Sequence, residues 1–315
     1  MKKVSLLIPA YNEEQSLPLL REALEKFMED SEGLGARYEI EVLFINDGSK
    51  DRTLEILQQF HKENPRFNYV SLSRNFGKEN AMLAGFDFVT GDCCVIMDAD
   101  LQHPLEVIPH MVEKWEEGYE DVYGSRLTRG KESWLRKKLS LGYYSMLQRS
   151  IKFDVLPNVG DFRLLDRRCI DAMRKLRETQ RYTKGLYAWI GFKKTSIKFE
   201  QKESVRENSS FNFKSLFNLA VEGITCFTTA PLRIASIIGF LVALCALLYL
   251  VWIFVKTIMW GDPIQGFPTL MCTILMLGGI QLVALGIIGE YIGRIFNESK
   301  GRPVYIADLY NDKKI

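Results

Sequence analysis

The chain has 315 residues, 47% of them hydrophobic, and sets Lys+Arg 41 against Asp+Glu 39 for a net charge of only +2. That much apolar material excludes a disordered chain, and the even charge balance excludes the global basic field that nucleic-acid binding demands. The average hides a split: charges are dense up to about Lys214 and nearly vanish between Ile234 and Gly289, which predicts a soluble domain joined to a membrane anchor.

Met1-Lys2-Lys3 leads into an apolar run that stops at Pro9, too short for a signal-peptide core, so the N-terminal domain is expected in the cytosol. Residues 4–8 read as a strand, the loop Pro9-Ala10-Tyr11-Asn12-Glu13-Glu14 follows, and Leu17, Leu20, Leu24 and Phe27 then recur at helical spacing. The unit repeats with a strand over Glu41–Ile45, the loop Asn46-Asp47-Gly48-Ser49 and a helix from about Asp51 to Lys62. It repeats again with a strand over Tyr69–Leu72, a loop over Arg74–Lys78, a helix over Glu79–Val89 and a strand over Cys93–Met97. Strands alternating with helices imply βαβ crossovers and a mostly parallel sheet, with every polar loop named so far at one edge.

The last of these strands runs into Asp98-Ala99-Asp100-Leu101-Gln102-His103-Pro104. Open α/β sheets bind ligands just beyond the carboxyl ends of their strands, and hard divalent cations take oxygen donors that they share with substrate phosphates. If the extended alternation continues, Asp98 and Asp100 project to one side with Gln102, and Ala99 turns away. A surface turn is the alternative reading, since Asp and Pro are common loop formers.

Beyond this loop the pattern gives a helix from about Leu105 to Glu117 and a strand from Asp121 that ends in Gly124-Ser125-Arg126. Thr128–Arg149 is basic and aromatic, either a solvated helix face or, beside a membrane, a grip for a lipid phosphate. Gly160-Asp161-Phe162-Arg163 alternates like a strand, and another strand is expected over Lys194–Phe199. Phe213, Leu216, Phe217, Ala220 and Ile224 fit an amphipathic helix lying in the membrane interface or packed on the domain. Two uncharged spans follow, roughly Ile234–Val255 and Gly266–Gly289, each near the ~20 residues that cross a bilayer.

Arg233 before these spans and Arg294, Lys300 and Arg302 after them place both termini in the cytoplasm by the positive-inside rule. Glu290 and Arg294 stand one helical turn apart and can pair. Small residues such as Gly278, Gly279 and Gly286 would permit close helix contacts, within one chain or between copies in a homo-oligomer.

The six cysteines show no metal-ligand spacing, the three histidines form no ligand set, and His103 reads as a loop neighbour; no zinc site is expected. There is no Gly-x-x-x-x-Gly-Lys-Ser/Thr loop and no Gly-x-Gly-x-x-Gly after the first strand, which disfavours P-loop and dinucleotide-binding enzymes.

In order and spacing, the five loops around Pro9, Asp47, Lys78, Asp98 and Arg126 resemble those of the family 2 glycosyltransferases of GT-A fold. Within that family the chain resembles the polyprenyl-phosphate glycosyltransferases, which include dolichyl-phosphate mannose synthase. The ending Gly289-Glu290-Tyr291-Ile292-Gly293-Arg294 and the paired spans are most similar to the bactoprenol (undecaprenyl-phosphate) glucosyltransferases.

The resemblance implies a GT-A catalytic domain over 1–210, an interfacial helix or linker over 211–232, a two-helix anchor over 233–295 and a cytosolic tail over 296–315. It implies that Pro9, Tyr11, Glu13 and Asp47 hold the nucleotide, with Lys78 and Asp98 near it. Asp98, Asp100 and Gln102 would bind Mg²⁺ or Mn²⁺, and Arg126, Arg136 and Ser140 the acceptor phosphate. Asp161 matches the carboxylate near the acceptor and, with Asp100, is the expected catalytic pair. Val205-Arg206-Glu207-Asn208 lacks a glycine that relatives carry there, which leaves Arg206 without an assigned role.

The expected reaction is inverting transfer of a hexose, glucose from UDP-glucose, to a polyprenyl phosphate at the cytosolic face of the cell membrane. GDP-mannose or an amino-sugar donor stays open. So does a processive polysaccharide synthase, although two spans cannot enclose a polymer channel, and so does a non-catalytic nucleotide-binding scaffold.

Overall fold

The computed structural model describes residues 1–30, 33–126, 159–179, 181–200, 230–260 and 266–315. Of the interfacial helix or linker expected over 211–232, residues 211–229 lie outside these residues and 230–232 already belong to a long helix; the basic segment with Arg136 and Ser140, and Arg206, also lie outside them.

The chain forms two compact units, an α/β domain that Pro303–Ile315 rejoins and a unit of two long helices. In the first, β1 (Lys3–Ala10), β2 (Glu39–Asn46), β3 (Phe67–Leu72) and β4 (Cys93–Ile96) are parallel in the order β4-β1-β2-β3. Their near-continuous apolar runs suit strands covered on both faces. Helix α1 (Leu17–Glu29) buries Leu17, Leu20, Leu24 and Met28, residues three and four apart, on one stripe. A short α2 (Leu34–Arg37) precedes β2, and α3 (Thr53–Glu63) buries Leu57 and Phe60. Phe44, Phe60 and Phe67 meet with centroids 6.0–6.3 Å apart, joining strands to helix through aromatic contact. Helix α4 (Lys78–Phe88) buries Ala81 through Phe86, and a Cβ on Gly85 would lie 2.2 Å from Leu7, so only glycine lets this helix sit so close to the sheet.

The expectation of a mostly parallel sheet holds for this centre and fails on both flanks. After a 3₁₀ turn (Leu105–Val107) and α5 (Ile108–Glu116) comes β5 (Asp121–Arg126), followed by β6 (Val159–Asp166). Strand β6 inserts antiparallel between β4 and β5. Then follow α6 (Arg167–Lys175), α7 (Thr183–Trp189) and β7 (Lys194–Phe199), the last parallel to β5.

In the second unit, α8 (Ala230–Trp260) and α9 (Phe267–Ser299) cover the two uncharged segments expected from composition and extend beyond them. Among the described residues one segment, Met276–Ser299, is long and apolar enough to cross a membrane. Arg294 pairs with Glu290 at 2.9 Å, as their spacing predicts.

Residues 296–315, read from the sequence as a tail, instead complete α9 and then add β8 (Ala307–Tyr310) antiparallel to β3. Asn311 and Asp312, with φ of 46° and 64°, turn the chain into β9 (Lys313–Lys314), the left-handed pair that tight hairpins require. Tyr69 fixes this turn: its N–H donates to Asn311 Oδ1 at 2.9 Å and its hydroxyl to Asp312 Oδ1 at 2.7 Å. The hairpin covers a strand edge that would otherwise present unpaired backbone groups.

Candidate functional site

The loops that leave β1, β2, β3 and β4 at their carboxyl ends are tied together in series. Asn12 stands at φ 53°, its N–H donates to Ser49 Oγ at 3.0 Å, and its Oδ1 accepts from Lys50 N at 2.9 Å. Glu13 N–H donates to Thr53 Oγ1 at 2.8 Å, so the first loop rests on the start of α3. Asp47, 3% exposed, accepts from Phe76 N at 2.7 Å and Gly77 N at 2.9 Å, joining the second loop to the third. Burial raises the Asp47 carboxyl above its usual range, and these two N–H donors work against that. Gly48 has φ +60° with Arg74 backbone only 2.2 Å from where a Cβ would stand, so no side chain fits between the two loops.

The third loop delivers Lys78 as the first residue of α4, and its Nζ lies 2.6 Å from Asp98 Oδ1 and 2.9 Å from Asp161 Oδ2. Asp98 stands two residues past the end of β4, and Asp161 lies in β6, the strand paired with β4. Two carboxylates this near one another repel, and the ammonium that both contact offsets that repulsion. Burial alone would lower the Lys78 ammonium, but Asp161 and Asp98 outweigh it and raise it. Burial likewise pushes Asp161 up, yet Lys78 and Lys184 hold it below the usual carboxylate range. Asp161 Oδ1 is buried without a hydrogen-bond partner among the described residues.

The Asp98 loop is not the extended segment that alternation suggested. Strand β4 ends at Ile96, and Leu101 takes φ 61°. Ala99 is buried there, while Asp98 and Asp100 remain partly exposed. His103 organises the loop, its Nδ1 accepting from Asp98 N at 3.0 Å, which assigns the ring proton to Nε2 in the neutral form. Gln102 N donates to Asp100 Oδ1 at 3.1 Å. Asp100 also borders a cleft of about 410 Å³ lined by Asn12, Glu13, Glu14, Lys50 and Asp51.

The predicted site residues thus divide. Lys78, Asp98 and Asp161 meet directly, while Asp100 and Glu13 share the cleft. Pro9 pairs within β1 and β2, Tyr11 is 38% exposed at the mouth of the first loop, and Asp47 spends its carboxylate on loop backbone. Arg126 ends β5 opposite Phe199.

Pattern reading missed His103, and also Glu79, whose Oε2 accepts from Thr183 N at 3.0 Å and ties α4 to the start of α7. Burial raises the Glu79 carboxyl. A Glu immediately after the loop lysine was the available signal.

No group of three or more His, Cys, Asp or Glu stands ready to hold a metal among the described residues. The donor set nonetheless suits a hard divalent ion, since such ions often take one or two carboxylates and complete their shell with substrate phosphates and water. Asp98 and Asp100 supply that number.

Residues 5–174 match the glycosyl transferase family 2 description, and residues 230–295 match the GtrB C-terminal hairpin. The bactoprenol glucosyl transferase of Shigella phage SfV is 40% identical, over 99% of this chain and 99% of its own length. The prophage bactoprenol glucosyl transferase homolog of Escherichia coli K12 is also 40% identical, over 96% and 98%. Among solved structures, glucosyl-3-phosphoglycerate synthase from Mycobacterium tuberculosis, in complex with Mn²⁺, UDP-glucose and phosphoglyceric acid, shares 17% identity. It covers 71% of this chain and 78% of its own at a TM-score of 0.47, a likeness too distant to carry an argument. On the family match and the full-length relatives together, the chain belongs to the family 2 glycosyltransferases and is an enzyme of that family.

Proposed function

We propose that this enzyme transfers glucose from UDP-glucose to a polyprenyl phosphate such as undecaprenyl phosphate, with inversion, at the cytosolic face of the cell membrane. The observation that carries the reading is 40% identity to a bactoprenol glucosyl transferase along 99% of both chains. Three charged groups, Lys78, Asp98 and Asp161, meeting at the carboxyl edge of the sheet give that reading a chemical centre.

In this reading Pro9, Tyr11, Glu13 and Asp47 shape the nucleotide site, and Asp98, Asp100 and Gln102 hold a Mg²⁺ or Mn²⁺. The bound ion would neutralise charge on the departing diphosphate. Arg126, Arg136 and Ser140 grip the acceptor phosphate. A phosphate monoester has a second pKa near 6, so its attacking oxygen is already ionised at neutral pH and needs no strong base. Asp161, held ionised beside Lys78, then serves to orient the acceptor rather than to deprotonate it.

The helical unit is the anchor in this reading, a two-span hairpin with both termini cytoplasmic, preceded by an interfacial helix that ends before Ala230. The match to the GtrB C-terminal hairpin supports it, as do the exposed apolar side chains Phe240 and Trp252 on α8 and Leu282 and Val283 on α9.

The test is to incubate the purified full-length protein with labelled UDP-glucose or GDP-mannose and undecaprenyl phosphate. Label from UDP-glucose in a short lipid product is expected. Polymer would point to a processive synthase, transfer from GDP-mannose to a different donor, and no transfer to a binding scaffold.

A further inference from the structure

We infer that Lys78 is a resident counter-ion that keeps Asp98 from binding a free divalent cation and yields it when the ion arrives with a nucleoside diphosphate. The inference rests on the reading of Asp98 as a metal ligand. It goes beyond that reading by assigning the coupling between ion and nucleotide to one side chain.

Three features support it. First, the Lys78 ammonium already occupies Asp98 Oδ1 at 2.6 Å. A divalent ion bound to the same carboxylate would sit beside a unit positive charge at close range, and two cations sharing one carboxylate repel.

Second, Lys78 opens α4 directly after Gly77, whose φ is +91°. The amino end of a helix is its positive end and disfavours a cation. The ammonium is therefore held there by Asp98 and Asp161 and has no second attraction to its own helix.

Third, the two carboxylates are unequal. The Asp161 side chain is 11% exposed and its other oxygen is buried without a partner among the described residues, whereas the Asp98 side chain is 31% exposed. Losing Lys78 would leave Asp161 a poorly compensated buried charge, while Asp98 can be compensated by an ion or by water. The lysine stem is flexible and its ammonium carries three donors, so it can release Asp98 while staying on Asp161. A diphosphate entering with the ion offers the freed donors a new anion. Ion and nucleotide then bind as a positively coupled pair, and the coupling must be reciprocal.

Mn²⁺ binding to the full-length protein in detergent, read from the electron paramagnetic resonance signal of free Mn²⁺ with and without UDP, tests this without any turnover. Wild type should bind Mn²⁺ alone weakly and more tightly with UDP. Lys78→Gln should bind Mn²⁺ alone at least about fivefold tighter, with the gain from UDP reduced by a similar factor. Lys78→Arg, which keeps the charge, should still bind Mn²⁺ alone as weakly as wild type, and a thermal midpoint of Lys78→Gln within a few degrees of wild type shows that this variant is folded.

Asp98→Asn should lose the Mn²⁺ that binds with UDP. If Asp98→Asn loses Mn²⁺ and Lys78→Gln binds it no more tightly than wild type, the counter-ion role is wrong and the metal assignment stands. If Asp98→Asn binds Mn²⁺ as wild type does, the metal assignment itself is wrong and the inference goes with it.

Discussion

His103 lies flat on Phe162, with ring centroids 4.6 Å apart and planes within 6° of parallel. Phe162 follows Asp161 in β6, and His103 holds the backbone of Asp98, so this stack sets the spacing between the two carboxylates that Lys78 bridges. His103→Ala is expected to cost about 2–4 kcal/mol of stability, below the loss of a buried phenylalanine because imidazole is smaller. Transfer should fall by roughly tenfold or more, since small displacements of reacting groups are costly. Thermal unfolding and glucosyl-lipid formation check both; unchanged activity would show that the stack does not position Asp98.

Asp98→Ala and Asp100→Ala should each reduce metal-dependent transfer by at least about a hundredfold while leaving the thermal midpoint near wild type, because both side chains are partly exposed. Full activity of either variant with the metal chelated would remove that residue from the metal site.

For Asp161 the sign follows from its lowered carboxyl, since burial raises it and Lys78 and Lys184 more than offset that. Its ionised form stabilises the fold at every pH above the ordinary Asp range near 4, and the contribution disappears as pH falls through the lowered value. Asp161 should therefore contribute no titration to activity between about pH 5 and 8. The rate loss in Asp161→Asn should be the same across that range, and both enzymes should decline together below about pH 6 as the acceptor phosphate protonates. A loss confined to low pH would assign Asp161 the role of base.

Tyr69→Phe removes two hydrogen bonds from the β8–β9 turn, the one the hydroxyl donates to Asp312 Oδ1 and the one it accepts from Asp312 N, and should cost about 1–3 kcal/mol. Deleting residues 303–315 uncovers the β3 edge altogether and should produce aggregation, which light scattering at increasing concentration would detect. A monodisperse deletion variant would mean that the hairpin is dispensable for the sheet.

The centre of the fold was legible because β1, β2 and β4 are short apolar runs that give way to polar loops at Tyr11, Asp47 and Asp98, each followed by a helix. What stayed hidden depends on pairing between residues remote in sequence. Nothing local to Ala307–Tyr310 says that it joins β3, and nothing near Val159–Asp166 says that this strand runs antiparallel between β4 and β5. The site divides in the same way. Lys78 and Asp98 are legible as loop residues and Asp161 as a strand residue, but their meeting exists only once β6 pairs with β4. His103 carried no signal beyond its neighbours, since its role depends on a phenylalanine 59 positions later in the chain.

The return of the chain to β3 after α9 makes the helical hairpin an insertion within the α/β domain rather than an appendage to it. During synthesis the catalytic sheet therefore cannot finish until both long helices have left the ribosome and the last residues follow them. A water-soluble version of the enzyme is then better sought by excising the helices and splicing Pro303 back through a flexible linker than by stopping translation early.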